Sequence, residues 1–412
     1  MMFAWWKAGS PQAKKALLAG TLGWMLDSFD VMLYALVLSS IMPDLGMSKE
    51  MAGALGSLTL VASAAGGILF GVVADRFGRT RALMASVLIY SVFTAACGLA
   101  NSVAQLAVFR IFLGIGMGGE WASGAALVSE TWPAEHRGKA LGFMQSGWAV
   151  GYGAAAIVTA LVLPVWGWRG VFFVGILPAL FTLWVRRNVE EPAIWRESRN
   201  APAAARGAFG DIFRPPMRRL TIAVTIMNAF TLFGWWGFNL WLPSYLSSPT
   251  AQGGVGLSTT MMSGFVVAMQ VGMWFGYVTF GVVADAFGRK RAYVAYLLTA
   301  AGLMFVYARV RHPLALLLLG PLVAFFGTGY FTGFGVVTAE LYPTAIRATA
   351  QGLTYNVGRL ASAAAPFTVG SLAGQHGFVT AFTVTAAAFL LAACWWLVIP
   401  ETRRRSVTTS TA

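Results

Sequence analysis

"GVVADRFGRTRAL" at residues 71–83 returns as "GVVADAFGRKRAY" at residues 281–293. A second pair keeps the same offset: "SETWPAEHRGKALG" at 129–142 returns as "AELYPTAIRATAQG" at 339–352. Asp75 maps to Asp285, Glu130 to Glu340, Pro133 to Pro343, Arg137 to Arg347 and Glu191 to Glu401, each 210 positions on. A constant offset over the whole chain means that one unit is built twice.

What surrounds the repeats says what the unit is. Hydrophobic residues make up 58% of the 412 and charged residues only 11%, against roughly 25% charged in a soluble domain. The apolar runs last about 20 residues, the length of a membrane helix, where a barrel strand would show ~10 alternating residues. Twelve spans are expected, centred near residues 30, 63, 90, 115, 150, 176, 233, 270, 300, 325, 359 and 388. The fold class is therefore an all-α polytopic membrane protein, with twelve transmembrane helices in two six-helix repeats. Bundles are expected at 1–187 and 219–400, joined by a polar linker at 188–218 and followed by a tail at 401–412. The first span has no small-residue cleavage site after it and is expected to be retained.

The net charge of +14 raises the possibility of a nucleic-acid partner. Its distribution argues for topology instead. With the N-terminus inside, 23 of the 29 Lys and Arg fall in inside segments, 4 in outside loops and 2 within spans. That is the positive-inside pattern, with both termini cytoplasmic and the lipid bilayer as the partner. Cys97 and Cys394 lie inside spans and read as small hydrophobes. The three histidines are far apart and none sits near a cysteine pair, so no metal site and no cofactor is expected.

The repeated loop has a mechanical reading. Gly71 would permit close helix contact, Asp75 would cap or pair at a helix end, and Gly78 would allow the tight turn. Arg79 and Arg81 would meet the anionic leaflet. Asp75, Arg76, Arg79, Glu130 and Arg137, with Asp285, Arg289, Glu340 and Arg347 in the second copy, are candidates for a gate that closes the cytoplasmic side.

A different set of charges lies at membrane depth. "GTLGWMLDSFDVMLYALVLSSIM" at 20–42 carries Asp27 and Asp30 three residues apart, on one helix face. A single Asp at the centre of a membrane helix costs ~2.5–3.5 kcal/mol. The cost falls if the face lines a polar cavity, and two carboxylates side by side favour one holding a proton. Asp27, Asp30 and Glu120 are the proton-coupling candidates. Arg110 and Arg359 are the two basic residues within spans; either can offer a bidentate fork to a substrate carboxylate, and Arg110 is also a candidate partner for a first-helix acid. Asn239, Gln145, Gln270, Tyr355 and Asn356 are the further polar candidates for binding.

At these residues the sequence resembles a known group. "GVVADRFGRTR" is similar to the loop 2–3 signature of the major facilitator superfamily, and "ETWPAEHRGKALG" to its loop 4–5 signature. "DSFD", "RIFLGIGMGGEWA", "FMQSGWAVGY" and "PVWGWRGVFFVGILPALFTLWVRRNVEEPAIW" look like the sialate/lactate:proton symporter family. The aromatic-acid:proton symporters are similar, with an acid pair early in the first helix. Arg359, in "YNVGRLASAAAP", is not part of that resemblance. The resemblance implies alternating-access symport of protons and a small organic anion, a monocarboxylate or a sialate-like acid, by a monomer in a bacterial inner membrane. Aromatic-acid or sugar:proton symport is the alternative, and proton-antiport drug efflux a more distant one, since "GWAVGYGAAAIV" lacks a proline-rich antiporter motif. With no nucleophile–histidine pair and no P-loop, neither an enzyme nor an ATP-driven pump is expected.

Overall fold

The computed structural model describes residues 4–133, 136–192, 209–215, 217–343 and 346–402, without the side chains of Ala4, Asp75, Ala122, Phe209, Asp211, Ala339, Arg347, Ala348 and Thr349. Most of the expected linker and tail therefore lies outside the described residues. Among them the chain is helical throughout, with no strand.

The first four membrane helices are Pro11–Asp44, Lys49–Phe77, Arg79–Cys97 and Val103–Thr131. The fifth opens Arg137–Val174 and ends at Gly167, whose φ of 65° breaks the helix; the sixth runs from there through Pro178–Asn188. In the second copy come Met217–Ser247, Thr259–Phe287, Arg289–Tyr307, the broken tenth (Pro313–Thr328 and Phe331–Leu341), the broken eleventh (Arg347–Ser362 and Ala364–Gln375) and Gly377–Trp395. Nine helical stretches among the described residues are apolar and long enough to cross a membrane, one of them, Arg137–Asn188, being two spans in series. The ninth and eleventh complete the twelve. Hydropathy alone passes over them because one opens on Arg289, Lys290 and Arg291, and the other carries the polar run "RATAQGLTYNVGR".

Helix starts are written in serine. The hydroxyls of Ser10, Ser48, Ser102 and Ser258 each accept from the backbone N–H three residues on, satisfying a donor the helix leaves open. Ser48 and Ser258 are again 210 apart.

The repeat loops are built alike in both halves. Gly78 and Gly288 have φ of 117° and 102°, a region that only glycine occupies without strain. A Cβ on Gly78 would stand 2.3 Å from Glu191, and one on Gly288 2.7 Å from Glu401. Those two carboxylates cap the next helix: Glu191 accepts from the N–H of Thr80 and Arg81, and Glu401 from the N–H of Arg289 and Lys290. Anions at a helix N-terminus meet free donors and the positive end of the dipole. Gly71 does not make the expected close contact, since a Cβ there would meet open space.

The two halves meet directly at the end away from the repeat loops. Ser39 and Ser247 hydroxyls are 2.7 Å apart, and Phe367 N–H donates to Ser57 at 3.1 Å. A Cβ on Gly53 would stand 2.3 Å from the Pro366 carbonyl. Lys49 reaches the carbonyls of Gln252 and Ala373 at 3.4 Å each. This end is closed.

Candidate functional site

The intramembrane charges gather at mid-depth. Asp27 and Asp30 are each 1% exposed, Glu120 0%, Arg110 1% and Arg359 3%. Glu120, on the fourth helix, packs against the first at Gly23, one turn before Asp27; a Cβ on Gly23 would stand 2.5 Å from its Oε1. The three acids thus form a column on one side of the seam. Oδ2 of Asp27, both oxygens of Asp30 and both of Glu120 have no hydrogen-bond partner. Three ionised carboxylates in that column would cost several times the ~2.5–3.5 kcal/mol of one.

Arg359 approaches from the other half. No ion pair joins it to Asp27 among the described residues. Arg110 does not pair with a first-helix acid, contrary to that expectation. Its guanidinium lies over the Tyr34 ring at 3.7 Å, with Nε and Nη1 unpartnered. Tyr34 is one turn beyond Asp30, so the arginine meets the first helix one turn too far along for the carboxylate, and the ring face takes its charge instead.

The polar candidates divide. Tyr355, one turn before Arg359, comes to the seam, where its ring meets Trp121 of the other half. Gln270 is buried beside Gly153, with both ends of its amide unpartnered. Asn356 and Asn239 spend their amide N–H on their own helices, at Gly352 and Trp235, though the Asn356 oxygen still faces Gly67.

Aromatic residues complete the site, and Trp24, Trp121, Trp148 and Tyr277 among them were not picked out from the sequence. Trp121 and Tyr355 stack across the seam, centroids 5.0 Å apart and planes at 17°. Trp24 packs on Trp148 at 4.7 Å, and Trp148 meets Trp236 of the other half at 5.9 Å. The usable signal was spacing: Trp24 is three residues before Asp27, and Tyr277 seven after Gln270, each on the face of a residue already singled out.

Of the gate candidates, two equivalent pairs are joined, one within each half. Arg79 holds Glu130 by Nη2 at 2.8 Å and Nε at 3.1 Å. Arg289 holds Glu340 at 3.2 Å and also Asp285. Arg79 therefore turns inward and does not reach the leaflet, while exposed Arg76 lies by Phe77. Arg137 leaves its Nε unpartnered, and Glu130 takes Arg79 instead of it. The side chains of Asp75 and Arg347 lie outside the described residues. A groove of about 710 Å³ at the closed end, lined by Ser48, Lys49, Gln252 and Ser371, is remote from these charges: Asp27 to Asp44 alone is about 25 Å of helix.

Two repeated six-helix bundles with acids on one side of their seam and an arginine on the other define an integral membrane transporter, not an enzyme. The chain belongs to the Major Facilitator Superfamily, whose family model matches residues 20–279 and 247–412. It is 35% identical to the cis,cis-muconate transport protein of Acinetobacter baylyi, over 93% of this chain and 94% of that one. It is 34% identical to the sialic acid transporter NanX of Escherichia coli, over 94% of each. The solved xylose transporter XylE from E. coli, in a partially occluded inward open conformation, superposes with a TM-score of 0.78 at 21% identity, covering 96% of this chain and 100% of that one.

Proposed function

We propose that this protein is a proton-coupled symporter of a small organic anion, working by alternating access. The observation that carries the reading is the burial of Asp27 in one half and Arg359 in the other, with no ion pair joining them among the described residues. A monocarboxylate or sialate-like acid binds Arg359 through its carboxylate, and Asp27 carries the proton, with Asp30 and Glu120 as its partners. Arg110, stacked on Tyr34, is the second choice for the anion. Gln145, Gln270, Tyr355, Asn356 and Asn239 would hold the rest of the substrate. Relatives named for muconate and sialic acid, both organic acids, support the substrate class.

The Arg79–Glu130 and Arg289–Glu340 pairs, with Asp75, Arg76, Asp285, Arg137 and Arg347, serve the conformational switch and not binding. The protein works as a monomer in the bacterial inner membrane, with the repeat loops, the 188–218 linker and both termini cytoplasmic, an orientation that the distribution of Lys and Arg supports. The test is uptake of labelled carboxylates into proteoliposomes with and without an inward proton gradient. Gradient-dependent accumulation is expected; accumulation indifferent to the gradient contradicts the coupling.

A further inference from the structure

One cation at the closed end belongs to both halves. Lys49 opens the second helix, and its ammonium reaches across the seam to the carbonyls of Gln252 and Ala373 at 3.4 Å each. It also lies over the Phe378 ring, 4.5 Å from the centroid. All three partners belong to the second half. The eleventh helix makes room for the lysine with glycine. A Cβ on Gly370 would stand 2.6 Å from the Lys49 carbonyl oxygen, and one on Gly374 3.9 Å from the Lys49 Cβ.

The other three cations of the outside loops are held within their own halves. Arg169 pairs with Asp44 at 2.7 Å and donates to the Ala100 carbonyl. Arg309 donates to the Phe305 carbonyl and the Thr383 hydroxyl, and Arg311 to the carbonyls of Gly253 and Gly254. A movement of the halves as bodies keeps all of those contacts, and it strips Lys49 of its three. The internal repeat points the same way. At the 210-residue offset Ser48 returns as Ser258, but Lys49 returns as Thr259. The serine caps a helix start that both halves share; the lysine stands outside the shared unit.

The surroundings say what the ammonium meets when the end opens. Its two bonds are at the long end for N–H···O, so they part at little cost. In its own half the neighbouring charge is Glu50, which is exposed, and adjacent residues on a helix do not face each other. Beside it lies the groove of about 710 Å³, with Ser48 and Glu50 of the first half and Ser371 and Gln375 of the second in its wall. A groove lined from both halves widens as they part. An unpaired ammonium at such a mouth raises the local concentration of anions.

We infer that Lys49 has two alternating partners: it latches the closed outer end, and once that end opens it captures the incoming carboxylate at the mouth. The carbonyls and ring of the second half and the substrate anion take turns on one ammonium. Capture rests on the reading of the substrate as an organic anion; the latch does not.

The experiment uses the full-length protein with Lys49→Met, which keeps the stem and loses the charge, and Lys49→Arg, which keeps the charge. Labelling of Ser57→Cys by a soluble maleimide reads the latch. Uptake of labelled lactate, benzoate and N-acetylneuraminate into right-side-out membrane vesicles reads capture. Lys49→Met should label roughly threefold faster than the parent protein, and Lys49→Arg at the parent rate. A looser latch alone raises the open fraction and lowers KM, whereas lost capture raises it. KM in Lys49→Met should therefore stand about threefold above wild type at ~20 mM salt and at or below it at ~500 mM, where the charge is screened. Lys49→Arg should keep the wild-type KM at both. Unchanged labelling in Lys49→Met overturns the latch. Faster labelling with a KM that does not rise at low salt overturns capture. Wild type alone supplies a further check: its KM should rise with salt, and a KM indifferent to salt overturns capture without any variant. If wild type takes up none of the three acids, the organic-anion reading fails and capture with it, while the labelling still decides the latch.

Discussion

Asp27 and Arg359 stand on opposite halves of the molecule, both buried, and no ion pair joins them among the described residues. An arginine that must sit in a membrane interior ordinarily takes a carboxylate outright. Here the acid and the base are held apart by the seam that opens and closes during transport. On the proposed reading, a substrate carboxylate is the partner of the arginine and a proton the partner of the acid.

The arginine's geometry is testable on its own. Arg359→Lys keeps the charge but loses the planar fork. Affinity for the transported acid should fall at least tenfold, about 1.4 kcal/mol, and Arg359→Gln should fall further. Isothermal titration of the two variants decides it; wild-type affinity in both moves the anion site to Arg110.

The closed end makes a steric prediction. Gly53 lies against the Pro366 backbone, where a Cβ would stand 2.3 Å from the carbonyl oxygen. Gly53→Leu should hold that end open and stop the cycle. Transport should fall to background while a cysteine at Ser57, which accepts from Phe367 N–H, becomes more reactive to a soluble maleimide. Unchanged labelling with lost transport would mean misfolding or another cause.

How far the sequence carried can be judged at these residues. The 210-residue offset foretold that Glu191 and Glu401 would do the same thing, and each caps the helix after its own repeat loop. The acids and arginines of the site were legible because charge in an apolar run is conspicuous. Pairings were not. Arg79 takes Glu130, and Arg110 takes a tyrosine ring, because helix packing sets which turns come level and no spacing within one helix records that. Gly71 and Gly78 look alike in the motif, yet only Gly78 is confined, by a carboxylate 113 residues away.

That contrast gives a further pair of variants. Gly78→Ala forces a Cβ into a glycine-only conformation, a strain on the order of 1–3 kcal/mol, and displaces the Glu191 cap. The melting temperature should drop by several degrees and turnover should slow. Gly71→Ala meets open space and should leave both near wild type. Equal effects would show that the loop is not held as described.

The gate pairs should tune switching and not affinity. Glu130→Gln removes the Arg79 ion pair, which is largely but not fully enclosed and worth about 1 kcal/mol or less to stability. Substrate affinity measured at equilibrium should be unchanged, while the rate of interconversion between the two facing states, read by stopped-flow fluorescence, should change. A large affinity loss at an unchanged rate would put Glu130 in the binding site.

The most direct test of the whole account is Asp27→Asn reconstituted into proteoliposomes, with uphill uptake and counterflow measured side by side. Removing the proton carrier should abolish accumulation against the gradient and spare exchange, which moves no net proton. Asp30→Asn and Glu120→Gln, run in parallel, should weaken uphill uptake less than Asp27→Asn does. If Asp27→Asn still accumulates the acid uphill at neutral pH as wild type does, Asp27 is not the proton carrier and the account is contradicted at its centre.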